Sequence, residues 1–232
     1  MNVMDGIILI DKPAGISSFG VVARVRWLLS KYAGRKVKVG HTGTLDPFAT
    51  GLMVVVVGAY CKRASEFSKL DKTYEATLSF GSNSSTGDPE GEITPVSERQ
   101  PTKDEVLAAL QKLTGEVIQT PPSYSAIKIG GVRAYKLARA GEHVEMPTRQ
   151  VTVHTLELVE YTYPSAVIRT HVSSGTYIRT LAEDIGRELD VGAYLTALRR
   201  TQVGTSSISE AQTLEQATAE TLVGALRHDV FK

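Results

Sequence analysis

The chain has 232 residues, 26 Lys+Arg against 25 Asp+Glu, 42% apolar and 22% charged residues, and a formal net charge of +1. These globular values exclude long disorder and collagen-like or coiled-coil repeats, and the length leaves room for a sizeable core. A near-neutral total argues weakly against a nucleic-acid binder. The single cysteine, Cys61, excludes an internal disulfide and a cysteine zinc site, and it suggests a reducing, cytoplasmic setting. The longest apolar runs have strand length, so no membrane span is expected, and the N-terminus lacks the pattern of a signal peptide.

In chain order, Ile7 to Ile10 reads as a buried strand. Ser17 or Ser18 caps a helix running to about Tyr32, with Val21, Val25, Leu28 and Leu29 at helical spacing. Leu52 to Val57 is a β-branched run between Gly51 and Gly58 and predicts a strand buried on both faces. Thr73 to Phe80 alternates, with Tyr74, Ala76, Leu78 and Phe80 on one face. Ser82 to Gly91 reads as loop. Thr102 caps a helix to Leu113, with Glu105 completing a capping box. Ser123 to Ile129 and Gly130-Gly131 predict a strand end and a hairpin, followed by a short helix over Tyr135 to Ala140. Val151 to Tyr161 and Ala166 to Ser173 are strands joined at Tyr163-Pro164-Ser165. Tyr177 to Leu189 is a helix with Ile178, Leu181, Ile185 and Leu189 inward and Glu183/Arg187 as an outer i,i+4 pair. A strand and short helices close the chain. With no repeat and no clear linker, hairpins and crossovers together predict a single α+β domain.

The charge is sorted by position. From Lys12 to Leu45 there is no acidic residue, while Lys12, Arg24, Arg26, Lys31, Arg35, Lys36 and Lys38 give +7. Thr86 to Glu105 sums to −4, and Lys128 to Arg149 to +3. Such sorting fits one basic face as well as chance clustering on solvated surfaces.

Phosphate-loop and dinucleotide fingerprints are absent, and the five histidines show no metal-ligand spacing. No cofactor or metal is expected. The segment from Gly40 to Gly51 sets one carboxylate, Asp46, among glycines, threonines and Pro47, between two apolar strands. Pro47 pushes Asp46 out of the helical region. The loop is either a scaffold that presents Asp46 or a turn in which Asp46 bonds its own backbone. Ser173 to Thr180 leads small residues into a helix whose first turn carries Arg179, where the helix dipole disfavours a cation. An arginine there has either a specific anionic partner or plain solvent exposure. Tyr74, on the apolar face of its strand, reads as core from position alone.

These segments carry a resemblance. Asp11 to Ser18 (DKPAGISS), Gly40 to Met53 (GHTGTLDPFATGLM), Lys72-Thr73-Tyr74, Ser173 to Gly186 (SSGTYIRTLAEDIG) and Leu198 to Thr201 (LRRT) occur in this order. Together they closely resemble the TruB family of bacterial tRNA pseudouridine synthases over roughly residues 4 to 205. Pro121 to Gly141 is similar to the part of that family that grips the T-arm.

The resemblance implies the pseudouridine synthase catalytic fold: a mixed, largely antiparallel central sheet flanked by helices, with a T-arm-binding insertion around 121–150. It also implies isomerisation of the T-loop uridine, position 55 in tRNA numbering, by a monomer that needs no metal. By motif position Asp46 is the nucleophile, at the sugar C1′ or the base C6. Arg179 is its partner, keeping it ionised. Tyr74 is the active-site tyrosine under the uracil. His41 holds the RNA around the extruded nucleotide. Tyr177, Leu198, Lys12 and Lys128 join the substrate-binding set, with Lys12-Pro13 also supporting the loop. The nucleotide must be flipped out, at a cost of about a few kcal/mol. The basic tract and the Lys128 to Arg139 element would hold stem phosphates. Many relatives carry a further RNA-binding domain of the PUA type at the C-terminus. Only 32 residues follow Arg200 here, so no separate domain of that kind is expected.

Two other functions compete with catalysis on uridine. A tRNA-binding or tRNA-folding module would need none of Asp46, Tyr74 and Arg179. A glycoside-type hydrolase would need a second carboxylate across the pocket, for which Asp5 and Asp11 are weak candidates.

Overall fold

A computed structural model describes residues 4–142 and 145–228. In chain order the elements are β1 (Gly6–Lys12), α1 (Ser18–Ala33), β2 (Val39–His41), β3 (Thr50–Val57), α2 (Ala64–Ser68), β4 (Lys72–Phe80), β5 (Ser82–Ser84), β6 (Ile93–Pro95), α3 (Lys103–Lys112) and β7 (Gly115–Gln119). Then come β8 (Lys128–Ile129), β9 (Val132–Arg133), α4 (Ala134–Arg139), β10 (Arg149–Thr162), β11 (Ser165–Val172), α5 (Ile178–Glu188), β12 (Ala193–Val203), β13 (Ser206–Ser207), β14 (Gln212–Thr213) and α6 (Ala219–Gly224). The chain forms two compact units, residues 1–74 with 199–232 and residues 75–198. The long strands β4 and β12 each run from one unit into the other. The pairing is mixed and largely antiparallel, as expected for an α+β chain.

In the first unit β1 pairs antiparallel with β3 over its whole length, Gly6 facing Val57 and Lys12 facing Gly51. The apolar runs are buried on both faces, as their lack of alternation requires. One face forms a core of Ile7, Leu9, Leu52, Val54, Val56, Phe67 and Val203. Helix α1 is capped by Ser17, whose side chain accepts from Gly20 N, and its inner face is Val21, Val22, Val25 and Leu29. It packs on β2 and α6. The end of β12 pairs parallel with the start of β3, Arg200 opposite Gly51. Gly51 has φ +109°, and a Cβ there would lie 2.3 Å from the Arg200 carbonyl oxygen, so only glycine lets these backbones approach.

In the second unit β10 pairs antiparallel with both β11 and β7. Strand β4 alternates buried and half-buried residues along its whole length. Helix α3 begins with the expected capping box of Thr102 and Glu105 and packs on β10 and α5.

At four places the structure corrects the expectations or adds to them. Ser82 to Gly91 is not all loop, because β5 pairs with β6 in a short hairpin. Strand β5, Ser82-Asn83-Ser84, is short and polar and carries none of the β-branched signal that marks a strand, and its partner β6 lies beyond the segment read as loop. Strand β7 carries no expectation in the sequence: its five residues edge the β10 ladder, and Glu116 and Gln119 blunt the pattern. The closing strand is β12, which begins at Ala193; short strand pairs and α6 make up the remainder of the chain as far as it is described. Glu183 and Arg187 do not form an outer pair: Arg187 donates to Asp184 Oδ1 at 2.6 Å, and Glu183 turns toward the interior.

Candidate active site

The first unit carries Asp46, and its neighbours hold the backbone on either side of it. Just before it, the buried Ser18 hydroxyl bonds both polar groups of Leu45: it accepts from Leu45 N and donates to Leu45 O, each at 2.8 Å. Just after it, Pro47 O accepts from Gly15 N at 2.9 Å and from Lys12 Nζ at 3.1 Å. The fully buried Lys12 ammonium also donates to Ala49 O at 2.6 Å and Pro13 O at 2.9 Å, so carbonyls match its three donors. At the ends of the loop the buried Arg200 donates from Nε to Leu52 O at 2.7 Å and from its terminal nitrogen to Gly43 O at 3.1 Å. Ala49 N closes a turn onto Asp46 O at 3.2 Å. Asp46 is half-buried. Lys12, expected among the substrate-binding residues, lies within the protein under this loop.

His41 ends β2 and is half-buried. Burial and then the Arg200 charge hold its pKa below the ordinary histidine value, so the ring is neutral near pH 7. Its Nδ1 is buried with no hydrogen-bond partner among the described residues. Tyr74 lies buried on the inner face of β4. Two residues earlier, the buried Lys72 donates to Ser68 O at 2.7 Å and to Leu70 O. Burial, with repulsion from Arg200, pushes its ammonium down to about 8, against a smaller opposite pull from Asp71.

Both candidate second carboxylates for glycoside hydrolysis are engaged by the protein. Asp11 forms a two-point pair with Arg199 at 2.7 and 3.2 Å, and Asp5 accepts from Ala59 N at 2.7 Å.

The second unit carries Arg179 in the first turn of α5. Its guanidinium donates to Thr86 O at 2.7 Å and Tyr124 O at 2.8 Å, and it lies 3.5 Å from Asp88 Oδ2. Both side chains of this ion pair are nearly inaccessible, 4% and 5% exposed, so it is a buried pair and not a surface contact. Asp88 is itself held: its Oδ1 accepts from Thr86 Oγ1 at 2.6 Å and Glu90 N at 3.1 Å. Gly87 makes room, because a Cβ there would lie 2.6 Å from Glu183 Oε1. Burial raises the Glu183 pKa, and the nearby Arg179 charge opposes the rise.

Asp88 is the residue that sequence reasoning missed, counted only as one acid in the negative segment. The available signal was indirect: an arginine in a first helical turn asks for an anion, and Thr86-Gly87-Asp88 offers one in a glycine-bearing loop.

Tyr177 immediately precedes α5. Gln119 bonds its backbone on both sides, and Arg149 lies 5.4 Å from its ring centroid. Leu198 is buried in β12. Lys128 is exposed on the β8–β9 hairpin, whose turn residues Gly130 and Gly131 both have positive φ. Among the described residues no group of His, Cys, Asp and Glu could hold a metal ion, and no helix is long and apolar enough to cross a membrane.

Comparison with known proteins matches residues 30–178 to the N-terminal domain of the TruB family pseudouridylate synthases. Residues 179–227 match the tRNA pseudouridylate synthase B C-terminal domain. Proteins named tRNA pseudouridine synthase B are similar over almost the whole chain. That of Cupriavidus metallidurans is 47% identical over 93% of this chain and 68% of its own length. That of Thermobifida fusca is 45% identical over 97% and 78%, and that of Burkholderia lata 45% identical over 92% and 65%. The chain therefore spans about two thirds to four fifths of the length of these relatives. Among solved structures, one titled as a Cbf5-Nop10-Gar1 complex superposes with a TM-score of 0.68 at 27% identity, covering 92% of this chain and 53% of that one. Another, an H/ACA RNP bound to a substrate RNA containing 2′-deoxyuridine, gives 0.66 at 25% identity, with 92% and 52% covered. These matches, together with an aspartate loop gripped from both sides, establish that the chain belongs to the TruB family of pseudouridylate synthases.

Proposed function

We propose that this chain converts the T-loop uridine of tRNA to pseudouridine, with Asp46 as the nucleophile. The reaction is an isomerisation: the C1′–N1 bond breaks, the uracil turns, a C1′–C5 bond forms and the C5 hydrogen leaves as a proton. The observation that carries the reading is the double grip on the Asp46 backbone by Ser18 before it and Gly15 and Lys12 after it. A carboxylate nucleophile gains rate from being held in place before the substrate arrives. Arg179 acts as the cation that keeps Asp46 ionised, and Tyr74 stacks under the uracil and moves a proton during the rearrangement. The neutral His41, whose buried Nδ1 has no hydrogen-bond partner among the described residues, fits a role holding the extruded nucleotide. Exposed Lys128 and the exposed cations Arg35, Lys36 and Lys38 fit phosphate contacts along the T-arm.

The test is tritium release from a tRNA transcript labelled at uridine C5. Asp46→Asn is expected to lower turnover by on the order of 10⁴-fold or more while leaving tRNA binding nearly intact. Normal release by that variant would sink the nucleophile assignment. Tight tRNA binding by the wild type without any release would favour the binding-module reading instead.

A further inference from the structure

Helix α1 presents a second chemistry to solvent. Phe19 is 67% exposed and Trp27 53% exposed, both unusual for large aromatic rings. With 100° per residue they lie on one face, two turns and about 12 Å apart. Cations accompany both rings. Arg24 lies 5.2 Å and Lys31 5.3 Å from the Trp27 centroid, and Arg26 lies 5.8 Å from that of Phe19. No carboxylate occurs anywhere in the helix, nor from Lys12 to Leu45.

The stripe has a defined origin. Ser18, which bonds both polar groups of Leu45 beside Asp46, is the residue directly before Phe19. The stripe therefore begins at the Asp46 loop and runs along a helix about 24 Å long. Past its end come the exposed Arg35, Lys36 and Lys38. Exposed rings alternating with cations are what unpaired RNA selects, because each base offers a π-face and each nucleotide a phosphate. An acidic protein surface would meet the cations but brings no succession of π-faces for the two rings, and paired RNA offers no base faces for stacking.

We propose that the outer face of α1 is a track for unpaired RNA, on which Phe19 and Trp27 stack loop nucleotides flanking the reacting uridine while Arg24, Arg26 and Lys31 hold their phosphates. The proposal rests on the reading of the chain as a tRNA-acting enzyme and adds a binding surface to it. Phe19 and Trp27 touch nucleotides that do not react, so they contribute affinity and register and leave the chemical step alone.

Trp27 is the only tryptophan in the chain, so its emission reports on this face directly. The full-length Asp46→Asn chain is titrated with unmodified tRNA transcript while Trp27 emission and its quenching by acrylamide are followed. Saturable loss of emission and protection from acrylamide are expected, on the same curve as binding measured by filter retention. Phe19→Ala and Trp27→Ala, made in the active chain, should each raise Kd and KM roughly tenfold with kcat unchanged. Trp27→Ala should leave the slope of log Kd against log salt as it was, whereas Arg24→Ala with Arg26→Ala should flatten it. Both aromatic residues are mostly exposed, so these variants keep the core intact, and Trp27→Phe should retain most of the affinity.

Saturated tRNA binding with unaltered Trp27 emission, or aromatic variants that bind like the wild type, would overturn the track while tritium release continues to support the enzyme. Loss of emission with anionic phosphatidylserine vesicles but not with tRNA would also overturn it. A wild-type chain that neither binds tRNA nor releases tritium would overturn both readings.

Discussion

In the first unit the residue to be held is an anion, and it is reached through backbone. Ser18 takes both polar groups of Leu45, Lys12 takes the carbonyls of Pro47 and Ala49, and Arg200 takes those of Gly43 and Leu52. In the second unit the residue to be held is a cation, and it is reached through its own charged group: Thr86 O, Tyr124 O and Asp88 all meet the Arg179 guanidinium. The difference matters for what a substitution does. Loosening a backbone grip moves Asp46 without changing its chemistry, while removing a partner of Arg179 leaves a buried charge uncompensated. Positional faults and charge faults should therefore separate experimentally along the same boundary.

The largest effect is expected on the charge side. Arg179→Ala strips Asp88 of its cation in a site with almost no water access, which costs about 3–5 kcal/mol of stability. Turnover should fall by on the order of 10³-fold in the tritium assay. Urea denaturation separates the two losses. Adding Asp88→Ala to Arg179→Ala should recover much of the stability, since no unpaired charge then remains, but none of the activity. Recovery of neither would mean that Asp88 contributes little to holding Arg179.

Lys12→Met tests the other side. Its ammonium meets three buried or part-buried carbonyls, and leaving them unmet costs about 3 kcal/mol or more. Because Lys12 lies under the loop, kcat should fall while KM stays near the wild-type value. A raised KM with kcat unchanged would instead place Lys12 in contact with RNA.

Legibility in the residues divides along the same line. Pattern-driven elements were legible: β1 and β3 from uninterrupted β-branched runs, β4 from alternation, α3 from its capping box. The Asp46 loop was legible as a feature, since glycines and Pro47 around one carboxylate between two strands are unusual. Its grip was not, because Lys12 and Ser18 come from one stretch well before the loop and Arg200 from far after it, and their partners are backbone groups that no side-chain pattern encodes. Asp88 was hidden for a related reason. In a segment with six acids, nothing local distinguishes the one that is buried. Glu183 was misread as an outer partner of Arg187 because i,i+4 spacing says which residues are neighbours on a helix but not which face is covered.

A smaller positional effect is expected at Ser18. Ser18→Ala removes one hydroxyl that serves both polar groups of Leu45, costing about 1–3 kcal/mol, and the loss should appear in kcat because Leu45 adjoins Asp46. Equal kcat in the variant would mean that Lys12 and Gly15 suffice to fix the loop.

The smallest effect probes the same cation-on-carbonyl device away from the loop, at Lys72. Burial and Arg200 lower its pKa to about 8 in the folded state, against the ordinary lysine value of 10.5 in the unfolded chain. A depressed lysine pKa means that the native state sheds its proton first, so between pH 8 and 10.5 the unfolded chain binds more protons and stability rises with pH. Below pH 8 both states are protonated and the full penalty of the buried charge is present. From about pH 7 to about pH 9 the gain is about 1 kcal/mol, read from urea midpoints. Lys72→Met should remove this increment, which isolates it from other groups titrating in the same range. An identical pH slope in wild type and variant would mean that the Ser68 and Leu70 carbonyls stabilise the ammonium enough to offset its burial. A cation held on backbone carbonyls would then cost the first unit little, and the steep penalty would be confined to the Arg179 side.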